Sequence, residues 1–255
     1  MFRRRCVDGG TGGYRIHESP VTMFRIIKWL IALPIGIFIF FNAYVYGNII
    51  TYRAVAPSKT AFMSMRMSQF ASEGRDVELD YRWVPYDQIS VNLKKALIAS
   101  EDANFAEHSG FDWNGIKYAM KRNKQSGEVK AGGSTISQQL AKNLFLNESR
   151  SYIRKGEEAA ITAMMEAVTD KDRIFELYLN SIEWHYGVFG AEAASQYFYK
   201  KPASALTRQQ AAKLTARVPA PLFYADHPKS KRMHNKTNII LRRMGSAELP
   251  ESDMD

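Results

Sequence analysis

Apolar residues run from Trp29 to Tyr52 without a charged position, and beyond them return in shorter groups at helical spacing. At ~1.5 Å per residue the first run makes a helix of roughly 36 Å, enough to cross a ~30 Å hydrocarbon core. Trp29, Tyr44 and Tyr46 suit the interfacial belts, and Pro34 and Gly36 are better tolerated in a membrane helix than in a soluble one. A cleaved signal peptide is the competing reading. The run is longer than the apolar part of such a peptide, and Tyr44-Val45-Tyr46-Gly47-Asn48 is a poor small-residue cleavage site. Residues 29–52 are therefore expected to form a retained transmembrane helix. Arg25 and Lys28 lie at its N-terminal end, with Arg3, Arg4, Arg5 and Arg15 further out. That bias keeps residues 1–28 in the cytoplasm as a basic tail and sends everything after Tyr52 across the membrane.

Residues 53–80 read as a membrane-proximal connector, with Pro57 and a Met-rich stretch, Phe62 to Met67, that suits a helix near the bilayer. Val77 to Trp83 alternates weakly and predicts a short strand. Helical spacing then dominates. Leu93, Leu97 and Glu101 recur at every fourth position, and segments 135–146, 157–169, 171–180, 189–199 and 207–217 repeat the pattern. Glycine and proline punctuate them at Gly127, Gly132-Gly133, Gly187, Pro202 and Pro219. Residues 81–245 are expected to form one mainly α-helical domain, followed by an acidic tail at 246–255.

Composition narrows the chemistry. The 255 residues include one cysteine and five histidines, which excludes an internal disulfide framework and leaves little for a metal cage. A formal net charge of +9 calls for an anionic partner or surface. Nucleic acid is disfavoured, because the anchor puts the basic surface outside the cytoplasm and no groove-reading motif is present.

Three segments carry candidate chemistry. Glu101 shares a helical face with Leu93 and Leu97, where burial raises a carboxyl pKa and suits it to general acid or base work; a helix-end carboxylate held by a nearby base is the plain alternative. His108 is more readily a packed, hydrogen-bonded residue than a ligand. Gly132-Gly133-Ser134-Thr135 opens a helix with a capping-box pattern, Thr135 with Gln138; its free N–H groups, with Lys142 and Arg150 nearby, suit a phosphate. In Arg154-Lys155-Gly156-Glu157-Glu158, spacing does not choose between the two glutamates, and a solvated Arg–Glu helix is the simplest account.

In this order the motifs resemble one family. Between about Tyr81 and Pro221 lie Glu101-Asp102-x-x-Phe105-x-x-His108-x-Gly110, the Gly132–Asn143 block, Arg154-Lys155-x-x-Glu158-Ala159, Tyr178-Leu179-Asn180 with Gly187–Gly190 and Tyr197-Phe198, and a closing segment through Pro219 and Pro221. These are similar to the blocks of the monofunctional biosynthetic peptidoglycan glycosyltransferases, glycosyltransferase family 51, which also supply a module of class A penicillin-binding proteins. The resemblance implies a mainly α fold: a lysozyme-like helical head with a smaller membrane-proximal jaw, about 105–153, preceded by one transmembrane helix. It implies polymerisation of lipid II, a disaccharide-pentapeptide on undecaprenyl pyrophosphate, into glycan strands at the outer face of the inner membrane.

Carried over residue by residue, the resemblance makes Glu101 the general base and Glu158 the second essential carboxylate. Lys142, Arg150 and Arg154 would surround the pyrophosphate, with Ser134, Gln139 and Asn143 lining the cleft. Lys117, Lys121, Arg122, Lys124 and Lys130 of the jaw would meet phospholipid headgroups. No cofactor is strictly required, and a divalent cation, Mg or Mn, stays open as an accessory. Class A and B penicillin-binding proteins and division proteins are the implied protein partners, and with no transpeptidase module before Asp255 the chain is expected to be monofunctional. Trp184-His185-Tyr186 and Thr215-Ala216-Arg217 depart from the family pattern, as do Ser137 and Gly156. Two rivals stand beside this reading: a lysozyme-like enzyme that cuts glycan with two carboxylates, and an inactive membrane-tethered scaffold of the cell-wall machinery.

Overall fold

A computed structural model describes residues 20–127, 132–149 and 151–250. The chain divides into two units, residues 1–43 and 44–255. Helix α1 (Pro20–Tyr52) runs through the boundary. Its part in the first unit presents apolar side chains outward, Phe24, Leu30 and Phe40 among them. Among the described residues this is the one helix long and apolar enough to cross a membrane, over Phe24–Tyr52. It starts earlier than the charge-free run, because backbone hydrogen bonding continues past Lys28 and Arg25 whatever the side chains prefer.

The second unit is predominantly helical, as the spacing of apolar positions predicts. Its connector holds α2 (Ala61–Ser72), begun by a capping box in which the Thr60 hydroxyl accepts from Met63 N–H. A two-residue strand β1 (Asp80–Tyr81) follows, then α3 (Val91–Glu101), α4 (Trp113–Ser126), α5 (Ile136–Phe145), α6 (Tyr152–Val168) and α7 (Lys171–Ser181). Strands β2 (Glu183–His185) and β3 (Val188–Phe189) precede α8 (Ala191–Tyr199), α9 (Arg208–Thr215), α10 (Pro221–Asp226) and α11 (Lys231–Arg243). The small sheet has the order β1-β3-β2: β1 runs parallel to β3, with Asp80 opposite Val188, and β2 runs antiparallel to it. The β2–β3 hairpin was not legible as strand. It turns at Gly187, whose φ of +69° and close approach to the Glu78 carbonyl leave no room for a Cβ.

Two helix groups make the core. α3 packs on α9 and α11 through Leu93, Leu97, Leu214 and Ile240, all buried, while α5 packs on α6 and α7 through Ile136, Leu140, Ile161, Met165 and Ile174. Phe105 joins them, its ring 5.4 Å from that of Phe175. α2 lies on α5, and its Phe62 and Met63 form a further cluster with Phe189. Arg173 of α7 donates to the carbonyls of Tyr52 and Val55, so the last turn of α1 is fastened to the helical unit.

Candidate active site

The ends of the two helix groups leave a cleft of about 770 Å³ between them. Glu101 at the end of α3 opens into it, with Ser134 ahead of α5, Gln139 and Lys142 on α5, and Arg232, Lys236 and Arg243 on α11. Ser134 and Gln139, expected to line the cleft, and Lys142, expected at the pyrophosphate, are thus brought together with the expected base. The Glu101 side chain is 12% exposed. Its Oε1 accepts from Ser100 Oγ at 2.7 Å and from Lys236 Nζ at 3.3 Å. Among the described residues both bonds fall on Oε1, which leaves Oε2 uncommitted.

Asp102 sets where Glu101 stands. Its side chain is 2% exposed, and Oδ2 accepts from the Ile136 N–H at 2.9 Å, in the first turn of α5. His108 Nε2, in the tautomer that carries its proton there, donates to the same carboxylate at 3.0 Å. Thr135 Oγ1 donates to the Gly110 carbonyl at 2.7 Å, closing the loop between α3 and α5. The packed, hydrogen-bonded reading of His108 therefore holds. At the α5 terminus, expected from the sequence to suit a phosphate, two of the first-turn N–H groups already have protein partners. Thr135 and Gln138 cap each other, Asp102 occupies Ile136 N–H, and the anion at this helix end is a protein carboxylate.

Positive charge gathers elsewhere. Glu158 is buried, 3% exposed, whereas Glu157 lies half-buried at the surface of α6; burial decides what spacing left open. Arg154 Nη1 donates to Glu158 Oε2 at 2.7 Å, and Lys155 Nζ donates to Glu158 Oε1 and reaches Ser134 Oγ at 3.4 Å. Burial lowers the pKa of Lys142, against the pull of Glu148 and Glu158, and Arg154 and Lys155 lower it further. One buried carboxylate thus faces three cations, a net positive lobe of which Lys142 lines the cleft with Glu101 while Arg154 and Lys155 are not among its lining residues. Gln139 is steadied from below: Tyr178, fully buried and with its pKa pushed well above the ordinary value by desolvation, donates to Gln139 Oε1 at 3.1 Å.

A model of the transglycosylase family matches residues 67–245. The chain belongs to this family. A biosynthetic peptidoglycan transglycosylase of Neisseria meningitidis serogroup C is 86% identical over 233 residues, which is 91% of this chain and 100% of the relative. One of Neisseria gonorrhoeae is 85% identical over the same extent. The expected kinship with biosynthetic peptidoglycan glycosyltransferases is borne out, and the family match runs further than the motifs did, taking in the second half of α2 and all of α11.

For a transglycosylase the α11 residues are the notable omission from the sequence reading. Arg232, Lys236 and Arg243 are spaced by four and seven, which puts them on one helical face, and that spacing was the signal available. Lys155, which also pairs with Glu158 at i,i+3, was not among the expected site residues. Asn143, expected to line the cleft, is buried in α5 and is not among the residues that line it here. Arg150 and Lys130 lie outside the described residues. A divalent cation finds no ready cage. Both oxygens of Glu158 are taken by cations, and among the described residues no three His, Cys, Asp or Glu side chains are grouped to hold a metal.

Proposed function

We propose that this transglycosylase polymerises lipid II by direct displacement, with Glu101 as general base. The observation that carries the reading is the shared cleft: Glu101 and Lys142 line it together, and Lys142 stands with Arg154 and Lys155 around Glu158. The acceptor sugar's 4-hydroxyl gives its proton to Glu101 as its oxygen attacks the anomeric carbon of the donor strand. The bond from that carbon to the pyrophosphate oxygen breaks, and its electron pair leaves with undecaprenyl pyrophosphate. Charge developing on the leaving group is met by Lys142, Arg154 and Lys155, in surroundings partly cleared of water. Glu158 is then a positioning residue that holds two of those cations in place. One displacement with no covalent enzyme intermediate inverts the anomeric carbon.

The glycan-cutting reading needs a second free carboxylate across the scissile bond. The other carboxylates near Glu101 are committed: Asp102 to α5 and His108, and Asp112 to the Gly115 N–H at the start of α4. The basic residues ahead of α1 support a cytoplasmic side for residues 1–28 and an outer-face location for the helical unit, with α4 as the segment proposed to meet phospholipid headgroups. Trp113, Tyr118 and Met120 are exposed on α4 beside Lys117, Lys121 and Lys124, a composition suited to a headgroup layer, while Arg122, also expected there, lines the cleft with Glu101. Penicillin-binding proteins and division proteins are the proposed partners that receive or crosslink the strand. Incubating the purified chain with lipid II, and separately with preformed peptidoglycan, tests the reading: strand growth supports it, and shortening of preformed glycan without growth overturns it.

A further inference from the structure

The two segments that depart from the family pattern, Trp184-His185-Tyr186 and Thr215-Ala216-Arg217, come together away from the catalytic groups. Arg217 is buried with its guanidinium 4.3 Å from the Phe198 ring, and its Nη1 donates to the Tyr224 carbonyl. His185 packs on Tyr197 with ring centroids 4.6 Å apart, and the Tyr197 hydroxyl lies 3.3 Å from His185 Nε2. On the adjoining α10, Phe223 stacks on His227 at 4.4 Å and 17°. Tyr186 links the two, its hydroxyl donating to Asp226 at 3.0 Å. Tyr197 and Phe223 remain 43% and 48% exposed, although each is already held in place by a neighbouring ring.

From this arrangement we infer a surface that binds the glycan strand outside the cleft, formed by Tyr197, His185, Tyr186, Phe223, His227 and Asp226. The inference rests on the polymerase reading for its occupant. The C–H face of a pyranose is apolar and weakly positive, and an aromatic face is its complement in both respects. The hydroxyls around the sugar's edge need acceptors, and exposed Asp226 and the ring hydroxyls supply them. Burial lowers the His185 pKa, which favours the neutral imidazole beside Tyr197. Rings separated by polar groups fit a polysaccharide better than a bilayer, which favours continuous apolar area rimmed by cations.

Continuity with the cleft selects the strand over other saccharides. Tyr224, the neighbour of Phe223, lines the cleft, as do Val218 and Pro219 next to Arg217. A product that lengthens with every cycle outgrows a cavity of about 770 Å³ and must lie on some outer face. The α10 face starts one residue from the wall.

The test uses the full chain in detergent, with lipid-free, uncrosslinked oligosaccharides of alternating N-acetylated hexosamines as the binding probe and lipid II as the substrate. Tyr197→Ala and Phe223→Ala are each expected to weaken oligosaccharide binding about fivefold to tenfold, a tenfold change being about 1.4 kcal/mol. Both should shorten the strands made while leaving the rate of the first coupling unchanged within about twofold. Tyr197→Phe keeps the ring and should keep binding, which guards against a variant that merely misfolds. Unchanged oligosaccharide affinity and strand length in the Tyr197→Ala, Phe223→Ala double variant overturn the inference, as does loss of vesicle binding or of a protein partner in place of glycan binding. Failure of the wild-type chain to couple lipid II would instead strike the polymerase reading, and ring-dependent oligosaccharide binding would still be measurable in that case.

Discussion

Asp102→Ala is the perturbation that most directly probes how the two halves of the site are held together. The buried carboxylate accepts one bond from Ile136 N–H at 2.9 Å and one from His108 at 3.0 Å. Hydrogen bonds to a charged group contribute ~1.5–3 kcal/mol each, and an anion at a helix N-terminus adds ~0.3–1 kcal/mol. Water entering the vacated space recovers part of this, so the net loss is expected near ~3 kcal/mol. For a domain of this size that lowers Tm by roughly 6–12 °C. Asp102→Asn keeps an oxygen for Ile136 N–H and should lose only ~1 kcal/mol. Activity should fall further than stability suggests. The bond fixes the end of α3 against α5, and a ~1 Å shift between base and cations costs on the order of 10²-fold in rate. Thermal unfolding followed by circular dichroism, alongside lipid II polymerisation below the variant's Tm, measures both. An Asp102→Ala protein with Tm within ~2 °C of wild type and full turnover would refute the positioning argument.

Three further outcomes follow from other groups. Glu158→Gln removes the counter-charge of Arg154 and Lys155; because Lys155 is 46% exposed and rehydrates readily, the stability loss should be ~1–2 kcal/mol, with turnover down on the order of 10²-fold and KM changed less. Glu183 is buried beside Arg66, and desolvation raises its carboxyl from 4.5 to about 7 despite that neighbour. The folded chain therefore binds this proton more tightly than the unfolded one, so stability should fall as pH rises from 4.5 through about 7, by up to ~3 kcal/mol. Glu183→Gln should flatten that slope in urea titrations at several pH values. Gly187→Ala places a methyl against the Glu78 carbonyl at a positive φ and should destabilise by ~2 kcal/mol or more, read as a lower urea midpoint at unchanged slope.

Helices α3 and α5 to α9 were legible because their apolar faces repeat at 3.6-residue spacing, and several starts are capped: Thr135, Thr207 and Ser151 all accept from the first turn they precede. α4, α10 and α11, rich in Lys and Arg or short, were not legible as helices. The β2–β3 hairpin was not legible. Two- and three-residue strands carry too few positions to show alternation, and the pairing of β3 with Asp80–Tyr81 spans about a hundred residues of chain. Within the site, Glu101 and Lys142 stood out locally, and only the resemblance gave them roles. Two things depended on the fold. The burial that separates Glu158 from Glu157 comes from packing of α6 on α5, and the arrival of Lys236 beside Glu101 comes from packing of α11 on α3. The capping pattern at Thr135 marked the helix start without showing that Asp102 takes its Ile136 N–H.

The account turns on proton removal by a single carboxylate at the mouth of α3. Its most direct measurement is the lipid II coupling rate of Glu101→Gln in protein shown to keep the wild-type Tm and lipid II affinity. The account predicts a rate lower by ~10²–10⁴-fold, the usual contribution of a positioned general base. Coupling within ~10-fold of wild type, with the same inverted linkage in the product, would contradict it.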